Sequence, residues 1–152
     1  MKEEVVVQPG FGSAGVHLGQ TEQEVKIGLG KPDRIIRKFK DSYFYIYQGK
    51  GINLDFGKRG GKLKIIFFYQ EGAKNPQDTK VRTDRGVRLG ESRSKVLRIY
   101  GEPDQRGDPF VLHSGDYFRE WFYYTEGIQF RFNQDKKIDE ISISRPKKKQ
   151  IH

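Results

Sequence analysis

One stretch of the sequence occurs twice. Gly15-Val16-His17-Leu18-Gly19-Gln20-Thr21 runs on through Val25 to Gly30-Lys31-Pro32-Asp33. Gly86-Val87-Arg88-Leu89-Gly90-Glu91-Ser92 runs on through Val96 to Gly101-Glu102-Pro103-Asp104. Each position of the second copy lies 71 residues after its partner in the first. Such a chain is expected to build one local structure twice, because each supersecondary unit carries its own start and stop signals.

Those signals are readable. Thr21 is an N-cap candidate and Glu24, three residues on, completes a capping box. The spacing predicts a helix over about Thr21 to Leu29, stopped by Gly30 in a left-handed cap position and barred from continuing by Pro32. Ser92 takes the cap role in the second copy, with Lys95 in place of the glutamate. Val96, Ile99 and Tyr100 then form one apolar stripe. Strands are predicted over Arg34–Lys38, Tyr43–Tyr47, Ile52–Phe56 and Leu63–Tyr69, and again over Glu120–Tyr124, Gly127–Phe132 and Ile138–Ser144. Ile52-Asn53-Leu54-Asp55-Phe56 alternates strictly, so one face is buried and one wet. The short turns between these strands allow hairpins and no parallel crossover.

The predicted fold class is therefore α+β. It comprises two tandem repeats, 15–78 and 79–144, packed as one unit. Each is a short helical segment, expected as helix-loop-helix, on a three- or four-stranded antiparallel β-meander. Residues 1–14 precede them, with Met1 to Glu4 loose and Val5-Val6-Val7 a short edge strand. Residues 145–152 form a basic tail. The second repeat is about five residues longer, within Gln105–Asp116, and insertions of this kind map to surface loops.

Taken together, Gly-Val-x-Leu-Gly, the helix, Gly-x-Pro-Asp, the Tyr/Trp-rich strand, Gly-Ile-x-Phe/Leu-x-Phe and the closing Ile-x-Ile strand resemble a known repeat. The stretch Gly15 to Ser144 is similar to β-lactamase inhibitory protein and to the small outer-membrane-assembly lipoproteins. The resemblance implies a helix pair on a four-stranded antiparallel sheet. It also implies that, in a tandem copy, the two sheets join into one concave, aromatic-rich surface that grips a partner protein, with placement at the bacterial cell envelope.

The residues themselves point to binding before chemistry. Aromatics are 13% of the chain and crowd into strands. Tyr43-Phe44-Tyr45-Ile46-Tyr47 and Ile65-Ile66-Phe67-Phe68-Tyr69 are apolar at every position, whereas a sheet covered on one face needs apolar residues only at alternate ones. Alignment of the copies assigns Ile66 and Phe68, with Ile141 and Ile143, to the core. It sets Ile65, Phe67 and Tyr69 opposite Glu140, Ser142 and Ser144 on an exposed face. Tyr43, Tyr45 and Tyr47 align with Arg119, Trp121 and Tyr123, and the alignment leaves open which row of that strand faces the helices. The surplus apolar face is open to two readings, a partner-binding surface or packing within the chain. On the first, Tyr43, Tyr45, Tyr47, Phe67, Tyr69, Trp121 and Tyr123 bind, rimmed by Arg119 and Arg131, since Tyr and Trp supply rigid amphipathic area.

The net charge of +9 and a pI near 9.7 make anionic partners a second reading. Arg145, Lys147, Lys148 and Lys149 would carry contacts to nucleic acid or anionic lipid. No cysteine is present, so no disulfide or thiolate site forms. His17, His113 and His152 are scattered, and no metal or other cofactor is expected. Gly10-x-Gly12-x-x-Gly15 matches dinucleotide-binding spacing, but the helix cap comes later, at Thr21, so a turn is expected. Arg106-Gly107-Asp108 has the composition of an adhesion tripeptide, and Pro109 after it suggests a simple turn. Asp33 and Asp104 read as turn residues rather than a catalytic pair. No residues nominate a reaction, so the expected function is non-enzymatic protein binding. No apolar run is long enough for a transmembrane segment or a signal-peptide core.

Overall fold

The computed structural model describes residues 4–69, 80–115 and 117–147. Strand exceeds helix by 43% to 15%, which corrects the expected α+β class to a mostly β one. Each expected helix-loop-helix is a single eight-residue helix, α1 (Glu22–Leu29) and α2 (Arg93–Tyr100). The two expected meanders are parts of one sheet. The 78/79 boundary between the expected repeats, with Met1–Glu3, Lys148, Lys149 and His152, lies outside the described residues.

Both helices begin as their caps dictate. Thr21 Oγ1 accepts from Glu24 N–H at 3.2 Å while Glu24 accepts from Thr21 N–H at 3.3 Å. Ser92 Oγ accepts from Lys95 N–H at 3.3 Å. Gly30 (φ 82°, ψ −165°) and Gly101 (φ 78°, ψ −166°) close them. This is not the expected left-handed helical cap but a positive-φ extended turn, which glycine alone adopts freely. In each case a strand begins after three more residues, the last two Pro-Asp, at Arg34 and at Gln105.

Eight strands follow in the spatial order β2 (Arg34–Ile36), β3 (Ser42–Tyr47), β4 (Ile52–Gly57), β5 (Leu63–Tyr69), β12 (Ile138–Ile143), β11 (Ile128–Phe132), β10 (Glu120–Tyr124), β7 (Gln105–Gly107). All are antiparallel. The seam is β5 against β12, with Phe68 opposite Ile141 and Phe67 opposite Ser142. Ile66, Phe68, Ile141 and Ile143 are fully buried, as the pattern predicts, while Ser142 is buried rather than exposed. Its small side chain lies between Phe67 and Gln129 in the ladder. A small separate ladder pairs β8 (Phe110–Val111) antiparallel with β9 (Tyr117–Phe118).

Two further expectations are corrected. Val5–Val7 (β1) is a strand, but it pairs in parallel with Val81–Thr83 (β6), so a parallel pair does form, across a long sequence separation. Glu4 is not loose: it pairs with Arg82 Nε at 2.7 Å and with Arg88.

The core lies between the helices and one face of the sheet. Val25 and Val96 come from the helices, and Leu54, Phe56, Phe130 and Phe132 from the sheet. The opposite face carries Ile46, Asn53, Ile65, Phe67, Tyr69, Gln129, Arg131 and Trp121, all half-buried.

Candidate partner-binding face

The structure divides the nine expected partner-binding residues between the two faces. Tyr43, Tyr45 and Tyr47 are 5%, 0% and 2% exposed and point at the helices, so their assignment to a binding surface is corrected to core. Tyr43 stacks on Phe56 with centroids 5.3 Å apart, and Tyr45 packs on the same ring. Their polar ends are satisfied internally. Tyr43 Oη donates to Glu22 at 2.8 Å, Tyr45 Oη donates to the same carboxylate, and Tyr47 Oη donates to Gly30 O at 2.8 Å.

Burial and the Glu22 bond push the Tyr43 phenol up to about 12. Desolvation raises the Glu22 carboxyl, but hydrogen bonds from Tyr45 and Tyr43 and the charge of Arg37 outweigh it, leaving it below its ordinary value.

The misassignment has an identifiable cause. Tyr124 Oη donates to Gly101 O at 2.8 Å, as Tyr47 does to Gly30, so Tyr47 corresponds to Tyr124 and not to Tyr123. The turn after the strand is Gln48–Gly51 in the first half but Thr125–Gly127 in the second. A constant offset across that shorter turn puts β3 and β10 out of phase by one residue, and one residue flips every side chain to the other face.

Phe67, Tyr69, Trp121, Arg131 and Arg119 do come together on the open face. Trp121 lies across the edge strand: a Cβ added at Gly107 would meet its Nε1 at 2.0 Å. Glycine at 107 is what lets the indole lie down. Arg131 stands opposite Trp121 in the ladder, and Glu140 stands between Arg131 and Tyr69. Tyr123 shares this face but is 9% exposed, its ring covered by the Lys147 ammonium at 5.4 Å, so its place in the binding surface is also corrected.

The irregular step between Arg131 and Phe132 leaves Asp139 as an extra residue beside Glu140. Asp139 accepts from Arg119 Nε at 2.6 Å and from Arg131 Nε at 2.9 Å, and Arg131 reaches Glu140 at 3.5 Å. Burial raises the Glu140 carboxyl, with Arg131 opposing. Two arginines clamped on one carboxylate make a fixed rim.

A groove of about 770 Å³ runs over this face, bounded by Arg34, Ile36 and Ile46 on one side and by Arg119, Arg131 and Asp139 on the other. Asn53 lines it, and its Oδ1 is buried without a hydrogen-bond donor among the described residues. Sequence reasoning missed Arg34, Asn53 and Asp139. Asn53 was legible as a polar alternate in β4, whereas Asp139 depends on a bulge that no local pattern announces.

The remaining motifs are structural. Gln8 N–H donates to Gly12 O at 2.7 Å, and a Cβ on Gly12 would meet Val16 O at 2.5 Å, so the glycine triplet is a tight turn. Arg106 lies on β7 with its guanidinium 4.9 Å from the Phe122 ring centroid and 3.2 Å from Glu102. Asp33 Oδ2 accepts from Gln48 N–H and Asp104 Oδ2 from Thr125 N–H, both at 2.8 Å, as turn residues do. His17 stacks on Phe11, and no metal-holding cluster occurs among the described residues. Of the basic tail, Arg145 is exposed, while Lys147 N–H donates to Thr125 O at 2.8 Å, which pins the first residues of that tail.

No family model matches the chain, and no curated protein matches it. Solved structures do. A DUF4309 family protein from Bacillus subtilis aligns with a TM-score of 0.56 at 13% identity, over 90% of this chain and 88% of that one. A cysteine-rich secretory protein from Staphylococcus aureus aligns with a TM-score of 0.54 at 11% identity, over 94% of this chain and 50% of that one. This chain thus spans half the length of the Staphylococcus protein. At these identities the likeness is one of fold.

Proposed function

We propose that the chain is a non-enzymatic protein-binding module that grips its partner with the open face of its sheet. One observation carries the reading: half-buried Phe67, Tyr69 and Trp121 share the face turned away from both helices, where Tyr69 lines a groove with Arg119 and Arg131. Aromatic side chains held rigid at one end and uncovered at the other are what binding hot spots are made of. The clamped Arg119–Asp139–Arg131 rim supplies directional polar contacts around them. Placement at the bacterial envelope rests on the sequence resemblance, and one similar fold belongs to a secretory protein.

Affinity capture from a native extract at high salt, followed by mass spectrometry, tests the reading. A discrete protein is expected, and Trp121→Ala is expected to weaken its capture at least tenfold, about 1.4 kcal/mol, with the fold intact. Equal capture by Trp121→Ala would overturn the assignment. Retention of nucleic acid or lipid at low salt alone would favour the basic surface instead.

A further inference from the structure

The eight-stranded sheet ends on two very different edges. At one, β7 runs into Asp108 and Pro109, and its Arg106 is engaged by Glu102 and Phe122. At the other, β2 is bare: among the described residues its backbone pairs with β3 alone. An edge strand turns half its N–H and C=O groups outward, ready to pair with another chain.

The side chains along that edge are strongly one-signed. Arg34-Ile35-Ile36-Arg37-Lys38 lines a shallow groove of about 570 Å³. Ile35 is 41% exposed, and Phe39 just beyond is 45% exposed. No acid occurs from Arg34 to Lys40. Arg34 and Lys38 have no acidic partner among the described residues, and Arg37 pairs with Glu22 at 3.3 Å while remaining more than half exposed.

We propose that β2 is a docking edge for an extended acidic segment of a partner, which adds as a ninth strand. Apolar residues of that segment would cover Ile35 and Ile36, one on each face of the sheet, and acids flanking them would meet Arg34, Arg37 and Lys38. Main-chain bonds hold such a strand and the side chains select it. A second copy of this chain does not fit, because pairing β2 with β2 sets arginine and lysine against their like. The molecule already uses this chemistry internally. β1 is an apolar strand preceded by Glu4, and it docks on β6, whose Arg82 takes the carboxylate together with Arg88 from the loop beyond.

The test is a capped, palindromic peptide with the core Glu-Glu-Val-Val-Glu-Glu, which reads the same in either strand direction, against a control with every Glu replaced by Lys. Both are titrated into the 15N-labelled chain. The acidic peptide is expected to shift the amides of residues 34–37, and the lysine peptide to shift none of them. The double variant Arg34→Glu/Lys38→Glu, checked for native stability, is expected to lose the acidic peptide by more than about tenfold and to accept the lysine one. No shift at about 1 mM peptide, shifts confined to other residues, or undiminished acidic-peptide binding by the double variant would each overturn the proposal. This site shares Arg34 and Ile36 with the rim of the open-face groove but does not include Trp121. Trp121→Ala leaves peptide docking unchanged, so the two readings fail separately.

Discussion

Among the residues, Glu22 does most to explain why the tyrosines of β3 belong to the core. Its carboxylate, at the first position of α1, takes the hydroxyls of Tyr43 and Tyr45 and the guanidinium of Arg37. Tyr45→Phe is expected to cost about 1–2 kcal/mol by urea unfolding and to leave partner capture unchanged. Tyr45→Ala opens a cavity and is expected to cost about 3–5 kcal/mol. Because the folded Glu22 carboxyl lies below its ordinary value of 4.5, its contribution is complete above that value and is lost as pH falls through the depressed one. Glu140 acts with the opposite sign, since burial raises it and its charge is a cost relieved by acid. Stability measured from pH 7 down to pH 3 should therefore fall less steeply for Glu22→Gln than for the wild type, and an identical slope would remove Glu22 from the account. Sequence reasoning identified these tyrosines as exceptional but could not orient them. A strand apolar on both faces carries no period-2 signal, and only the hydroxyl partners on α1 and at Gly30 break the tie.

At the scale of elements, the caps, the glycine stops and most strand bounds were legible because each depends on neighbours a few residues away. Leu63–Tyr69 and Glu120–Tyr124 match their expected ranges. The parallel pairing of β1 with β6 and the bulge at Asp139 were not, since each is decided by a partner far along the chain. The pinned tail shows the same dependence. Lys147 bonds to Thr125, and Pro146 lies against Gly10, where an added Cβ would meet its Cγ at 2.7 Å. Deleting residues 145–152 is therefore expected to destabilise the Gln8–Gly12 turn and uncover Tyr123, with earlier thermal unfolding. Charge-neutral replacements such as Lys147→Gln separate this structural role from anion binding, because they keep the backbone bond. Unchanged melting of the truncated chain would mean that the Lys147–Thr125 bond carries no weight.

The whole molecule is governed by the β5–β12 seam. One ladder joins strands from either half into a sheet with a shared core, so the halves are expected to unfold together. Ile141→Ala, at the seam opposite Phe68, should cost about 2–5 kcal/mol and lower amide-exchange protection at Leu54 and Phe130 by the same factor. A loss confined to Phe130 would instead divide the chain into two cooperative units. The sequence pattern carried the strands of each half but not their union, because the residues of the seam are ordinary core alternates with nothing to mark their partner. The sheet also sets its lone tryptophan flat on the open face, over Gly107 and next to the edge opposite β2. Intrinsic indole fluorescence is therefore a built-in optical gauge of where a ligand sits. A molecule filling the open face should change the emission maximum, while a strand added at β2 should leave the spectrum dark to its arrival.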